Sequence, residues 1–163
     1  MAENLAQPPT VAAAIRALLN AHTPISAEER GPAYRMPDPI AFPTEAVLIA
    51  EPNAHVFEAF FPWKLSSRTN FKMEPIVATV VRGNAVAICF CARINAQAAE
   101  AGVETIEAER GRGYASVAVA GWIRVIRQRG LLPLYSTSWQ NGASQGVARK
   151  LGLICYGEDC SIL

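Results

Sequence analysis

The sequence predicts an α/β domain in which strands run directly into helices, and three observations carry that reading. Of the 163 residues, 51% are hydrophobic and only 18% charged, enough apolar side chain to fill one core and more than a disordered chain carries. From Ile76 to Ile94 the residues are mostly β-branched or apolar, interrupted by turn chemistry at Gly83-Asn84, which suits two antiparallel strands. From Ala115 to Arg129 the apolar positions recur at helical spacing, and this helix follows a glycine-rich turn at the end of a strand.

Taken in order, the first element is an amphipathic helix over residues 8–21, where Pro8-Pro9-Thr10 precede an apolar stripe of Val11, Ala14, Ile15, Leu18 and Leu19. Five prolines from Pro24 to Pro43 then interrupt regular structure, so Ile25 to Thr44 reads as a connector or loop. Ala46 to Ala50 has strand character, and Asn53 to Phe61 reads as a helix that stops before Pro62. After the hairpin of Ile76–Val81 and Ala85–Ile94, strand character resumes from Gly102 to Ile106. The long helix ends at Gly130, and a strand over Leu131–Ser138, a helix over Ala143–Leu151 and a last strand over Leu153–Tyr156 complete the series.

Fifteen Lys and Arg against fourteen Asp and Glu leave a net charge of +1, which argues against nucleic acid as a general partner. No apolar run reaches the roughly 18 to 20 residues of a membrane span, because Arg124 interrupts the best stretch, so no membrane partner is expected. The opening residues lack the basic cluster and apolar core of a secretory leader, and a cytoplasmic address follows as the expectation. The four cysteines then read as free thiols. His22 and His55 are the only histidines, and neither has the ligand spacing of a metal site, so no metal is expected.

Chemistry concentrates in Glu104 to Ala115. A strand that enters a glycine-rich turn and then a helix points successive backbone N–H groups at one spot, at the positive end of the helix dipole. Gly111 and Gly113 let a ligand approach the backbone without a Cβ in the way, and Arg110 and Arg112 add two guanidinium forks for phosphate oxygens. A pyrophosphate fits such a turn. An ordinary strand-to-helix connection with two solvated arginines is the plainer alternative.

Arg110-Gly111-Arg112-Gly113-Tyr114-Ala115 resembles motif A of the GNAT superfamily of N-acetyltransferases: Arg or Gln, two residues, Gly, one residue, then Gly or Ala. Downstream, the strand from Pro133 to Trp139, then Asn141, Ser144 and Lys150-Leu151-Gly152, are similar to motif B, and together the two resemblances cover residues 76–160. The finer detail, including Ala148-Arg149-Lys150-Leu151-Gly152, looks most like the zwittermicin-resistance-like branch. The resemblance implies a GNAT fold with a mixed, mainly antiparallel sheet flanked by helices, formed as one domain over residues 1–163. Residues 1–70 would then wall the acceptor side, and residues 76–160 would bind acetyl-CoA.

The same resemblance assigns the site. Thr105 and Ile106 would pair with the pantetheine arm as a strand would. The amides from Gly111 through Tyr114 to Ala115 would hold the pyrophosphate, and Asn141 and Ser144 would contact the cofactor from the following helix. The family commonly places its general base on the strand before motif A, which makes Glu104 the first candidate here and Glu100, four residues earlier on the same face, the second. Where the family often has a Tyr as general acid this chain has Ala148, leaving Tyr135 and Ser138 as substitutes. The aromatic group Phe57, Phe60, Phe61 and Trp63 is core or acceptor wall, and the segment Arg30 to Tyr34 is a turn that could border the cleft.

Acetyl transfer from acetyl-CoA to a primary amine of a small molecule or peptide is the leading functional expectation, compatible with a homodimer. A non-catalytic acyl-CoA-binding sensor or partner module is the alternative from another class, and an α/β domain whose turn binds nothing is the third. Nothing in the sequence names the amine.

Overall fold

A computed structural model describes residues 11–38, 45–66 and 69–162. In chain order these form helix α1 (Ala12–His22), strands β1 (Glu28–Arg35) and β2 (Ala46–Leu48), two 3-10 helices (Glu51–Phe57 and Pro62–Leu65), and strands β3 (Val77–Val81), β4 (Asn84–Ile94) and β5 (Ala98–Thr105). Helix α2 (Tyr114–Gln128), strand β6 (Leu132–Ser136), helix α3 (Gly142–Lys150) and strand β7 (Ile154–Ile162) follow. The strands form one sheet in the order β2-β3-β4-β5-β6-β1-β7. Every neighbouring pair is antiparallel except β5 and β6, which run parallel. This is the mixed, mainly antiparallel sheet flanked by helices that the sequence implied.

The side chains of the central strands alternate between two cores, as the strand period of two requires. On one face Val77, Cys89, Ala99 and Ala101 pack under Val119, Trp122, Ile123 and Ile126 of α2. On the other, Ile76, Ala78 and Ile88 pack with Val56 and Phe57 of the first 3-10 helix and with Ile49 and Phe61, which flank it. Val77 and Ala78 thus belong to opposite layers although they are adjacent in the chain. Thr79 ties the layers' edge to the helix start, its hydroxyl donating to the Tyr114 carbonyl at 2.9 Å.

Three local expectations are corrected. The proline-rich connector contains β1, which inserts between β6 and β7 and pairs with both. Its partners lie 99 or more residues away, so no local pattern announces the strand. Gly31 sits so close to β6 that a Cβ there would collide with the backbone of Thr137 and Ser138. The stretch from Asn53 is a 3-10 helix rather than an α-helix, with the Asn53 side chain accepting from the Ala50 N–H at 2.7 Å to fix its first turn. The hairpin pivots on Arg82 and Gly83, both at positive φ (51° and 79°), the left-handed pair of a type I′ turn, and Asn84 already belongs to β4.

Helix α1 forms as its apolar spacing demands, yet none of its residues is buried. It is tied to β1 through the exposed Arg16–Glu28 ion pair. Pro8, Pro9 and Thr10, expected to open it, lie outside the described residues, as do Pro39, Pro43 and Thr44 of the connector. Among the described residues no helix is long and apolar enough to cross a membrane, and the four cysteines are free thiols.

Candidate functional site

Strands β5 and β6 pair only over Ala98–Glu100 with Leu132–Leu134. Beyond that point β5 continues to Thr105 held by β4 alone, while β6 leans toward β1: Ala33 pairs with Ser136, and the N–H groups of Thr137 and Trp139 donate to the carbonyls of Pro32 and Arg30 at 3.3 and 3.1 Å. Each strand follows its own outer neighbour, and the sheet opens between them. The opening widens into a cleft of about 1010 Å³. Its rim is the second half of β5, the turn after it, and the first two turns of α3.

The turn presents backbone amides and two glycines at positive φ to the cleft. A single 3-10 turn (Glu107–Glu109) leads into Arg110, and Gly111 and Gly113 then take φ of 77° and 86°, a conformation that costs a residue with a Cβ about 1–2 kcal/mol. Gly113 is the residue before α2, and no side chain caps the helix's first turn, so its leading N–H groups face the cleft without an internal acceptor. Arg112 ion-pairs with Glu109 at 3.2 Å. Among the described residues Arg110 and Lys150 form no ion pair, and Lys150 of α3 reaches across so that its Nζ lies where a Cβ on Gly113 would go. A cation aimed at bare amides is a repulsive arrangement that a phosphate group would relieve.

Opposite the turn, Asn141 caps α3, its Oδ1 accepting from the Ser144 N–H at 3.0 Å. The Ser144 hydroxyl meets the Tyr135 hydroxyl at 2.5 Å. Tyr135 is 2% exposed and packs against the fully buried Ala148, so the small residue on the helix leaves room for a phenol from the strand. Burial pushes the Tyr135 phenol up to about 12, partly offset by its bond to Ser144. The hydroxyl pair therefore keeps its protons at neutral pH.

All the expected contact residues from Glu104, Thr105 and Ile106 through Arg110, Gly111, Arg112, Gly113, Tyr114 and Ala115 to Asn141 and Ser144 line this one cleft. Glu100 does not. Its carboxylate is taken by Arg93 Nε at 2.6 Å and by the Ser136 hydroxyl, and Arg93 also reaches Asp159 of β7 at 2.8 Å. Glu100 thereby joins the two halves of the sheet just below their parting. Ser138 is absent from the lining, and the Arg30–Tyr34 segment is strand β1 rather than a bordering turn. The aromatic group divides: Phe57 is core, Phe60 and Trp63 wall the cleft, and the buried Phe61 belongs to both. Lys150 was missed, although Ala143, Val147 and Lys150 stand at helical spacing on one face and carry that signal. Lys64, 3.7 Å from Glu104, gave no signal at all.

The family model for GNAT acetyltransferase matches residues 50–158. The chain belongs to the GNAT acetyltransferase family. Solved GNAT structures share its fold: a family protein from Novosphingobium aromaticivorans has 17% identity, with 85% of this chain and 65% of that one covered and a TM-score of 0.66. A GCN5-related N-acetyltransferase-like protein from Streptococcus suis has 18% identity, 88% and 65% coverage, and a TM-score of 0.63. An aminoglycoside N-acetyltransferase solved in complex with CoA has 16% identity, 66% and 89% coverage, and a TM-score of 0.51. The chain spans less than two thirds of the length of the first two. No curated protein matches this GNAT sequence.

The phenol gives a direct check. The unfolded chain ionises its tyrosines near pH 10 and the folded chain ionises Tyr135 near 12, so the unfolded state loses the proton first and stability should fall as pH rises between those values. Of the four tyrosines followed by phenolate absorbance, one should titrate near 12, and Tyr135→Phe should remove that step together with its share of the alkaline loss of stability.

Proposed function

We propose that this chain is an N-acetyltransferase that moves an acetyl group from acetyl-CoA to a primary amine of a small molecule or peptide, and that it stands nearest the zwittermicin-resistance-like branch of its family. What supports this reading is that one cleft joins three unlike features: an unpaired strand edge, a turn of bare amides with free cations, and a carboxylate beside them. The acceptor wall proposed for residues 1–70 is supplied by Phe60, Phe61 and Trp63, since α1 contributes nothing to the lining.

Each part of the chain has a task. The outer backbone edge at Thr105 offers hydrogen bonds to the amide-bearing pantetheine arm, while Ile106, expected beside it, lines the cleft with its N–H already donated to the Val86 carbonyl and its carbonyl accepting from the Glu109 N–H, each at 3.0 Å. The Gly111–Ala115 amides, with Arg110, Arg112 and Lys150, hold the pyrophosphate, and Asn141 and Ser144 flank it. Acetyl-CoA brings an activated thioester, so the protein must supply orientation and a proton path. Glu104, 37% exposed on its side chain and facing the cleft, takes the proton from the acceptor ammonium. Tyr135 and Ser144 are the hydroxyls placed to return a proton to the departing sulfur, in the role that Ala148 cannot fill. A thiol titrates near 8.5, so this assistance is modest.

Two variants test the assignment. CoA at about a hundred times its Kd should raise stability by roughly 2.7 kcal/mol, read as a thermal shift, and Gly113→Val should abolish that shift. The same substitution should lower intrinsic stability by about 1–2 kcal/mol because of the positive φ. An unchanged shift would remove the phosphate-turn assignment.

With an acceptor found by screening amines for thiol release and acetylated product, Glu104→Gln should lower turnover by about 10² to 10⁴ and leave CoA affinity nearly unchanged. The deficit should narrow between about pH 7 and 9.5 as more amine becomes neutral unaided. Parental turnover at pH 7 would end the case for Glu104. CoA binding without thiol release for any amine would favour the acyl-CoA sensor instead.

A further inference from the structure

Beside the candidate base a primary amine is already in place. Lys64 belongs to the 3-10 helix Pro62–Leu65; Phe60, Phe61 and Trp63 wall the cleft, and Lys64, not itself in that wall, reaches the cleft-lining Glu104. Its Nζ stands 3.7 Å from Glu104 Oε1 and 3.4 Å from the centroid of the Phe90 ring. The side chain is only 17% exposed, unusual for a lysine. Among the described residues Glu104 is its only ion-pair partner, and at that distance the contact is Coulombic rather than a hydrogen bond, so the ammonium is held by a carboxylate and a π face and by little else.

We infer that Lys64 is itself an acetyl acceptor of this cleft, an inference that rests on the acetyl-transfer reading above. An acceptor amine must come to the carboxylate that deprotonates it, and Lys64 occupies that position by covalent tether, which turns a bimolecular step into a unimolecular one. Glu104 takes one proton from Nζ. The freed lone pair forms the N–C bond to the acetyl carbonyl carbon, the C–S bond breaks, and its electron pair leaves with the sulfur. The second proton of the former ammonium ends on that sulfur, so the sum is lysine ammonium plus acetyl-CoA giving N-acetyl-lysine, CoA thiol and one proton. The product has no charge, so the ion pair and the cation–π contact both lapse. Glu104 is then released to take the proton of an amine from solution.

The chain has three lysines, Lys64, Lys72 and Lys150, which makes the position of a label easy to read. The full chain is incubated with acetyl-CoA carrying a doubly ¹³C-labelled acetyl group, followed by intact mass and peptide mapping, with CoA binding measured on the same preparation by thermal shift. One acetyl group should appear on Lys64, with a rate independent of protein concentration. Lys64→Arg should take up none, Glu104→Gln should acquire label at least about tenfold more slowly, and excess desulfo-CoA should suppress labelling of the parent protein. Binding of CoA with no label at Lys64 overturns the inference and leaves the cofactor site standing, whereas no binding at all overturns both. Label on Lys72 or Lys150 instead, or label on Lys64 that desulfo-CoA does not suppress, marks chemical acetylation and also overturns it.

Discussion

Two strands that start side by side and then follow different neighbours make this molecule's cleft. Until Glu100 and Leu134, β5 and β6 are bonded as a parallel pair; after them β5 stays with β4 and β6 goes with β1. A sheet normally leaves no polar backbone unpaired in its interior, because such groups cost as much as a lost hydrogen bond when buried. Here the edge lines an open cleft, where its polar groups are accessible to solvent or ligand. The point of parting is held by the Glu100, Ser136, Arg93 and Asp159 network, which spans β4, β5, β6 and β7. Arg93 is 60% exposed and its ion pairs are screened, so the bond between Ser136 and the largely buried Glu100 is the stronger part of that clamp.

Everything functional in the proposal hangs from that opening. The turn after β5 can place Gly111 and Gly113 at the cleft only because β5 runs on past its partner. Helix α3 can approach from the other side only because β6 has turned away. The resulting charge arrangement is asymmetric: Arg110, Arg112 and Lys150 gather at the α2 end, and the carboxylate of Glu104 lies toward the 3-10 wall with Lys64. The proposed donor phosphates and acceptor amine thus fall at opposite ends of one space.

The sequence made the β3–β5 half of the sheet and the turn after it legible and concealed the other half, for physical reasons. The Ile76–Ile94 hairpin, α2 and the Gly111–Gly113 turn are specified by local rules: alternation, helical spacing and glycines that must take positive φ. Strand β1 is specified by contacts about a hundred residues or more distant, and Pro32 within it points the wrong way locally. Gly31 was the one trace of it, a glycine demanded by the backbone of Thr137. Glu104 and Glu100 stand as first and second candidates at four-residue spacing, and the network around Ser136 is what makes the second a clamp rather than a candidate base. Lys64 was unreadable because its significance is the ring and carboxylate that the fold brings to it.

Amide hydrogen exchange, followed residue by residue with and without CoA, addresses the open edge and the turn together. If the outer edge of β5 and the amides of the turn hold the ligand, exchange should slow at residues between Val103 and Ile106 and between Gly111 and Ser116, with little change in β7 or α1. Unaltered exchange in both segments under saturating CoA, or protection confined to β7, would contradict the account.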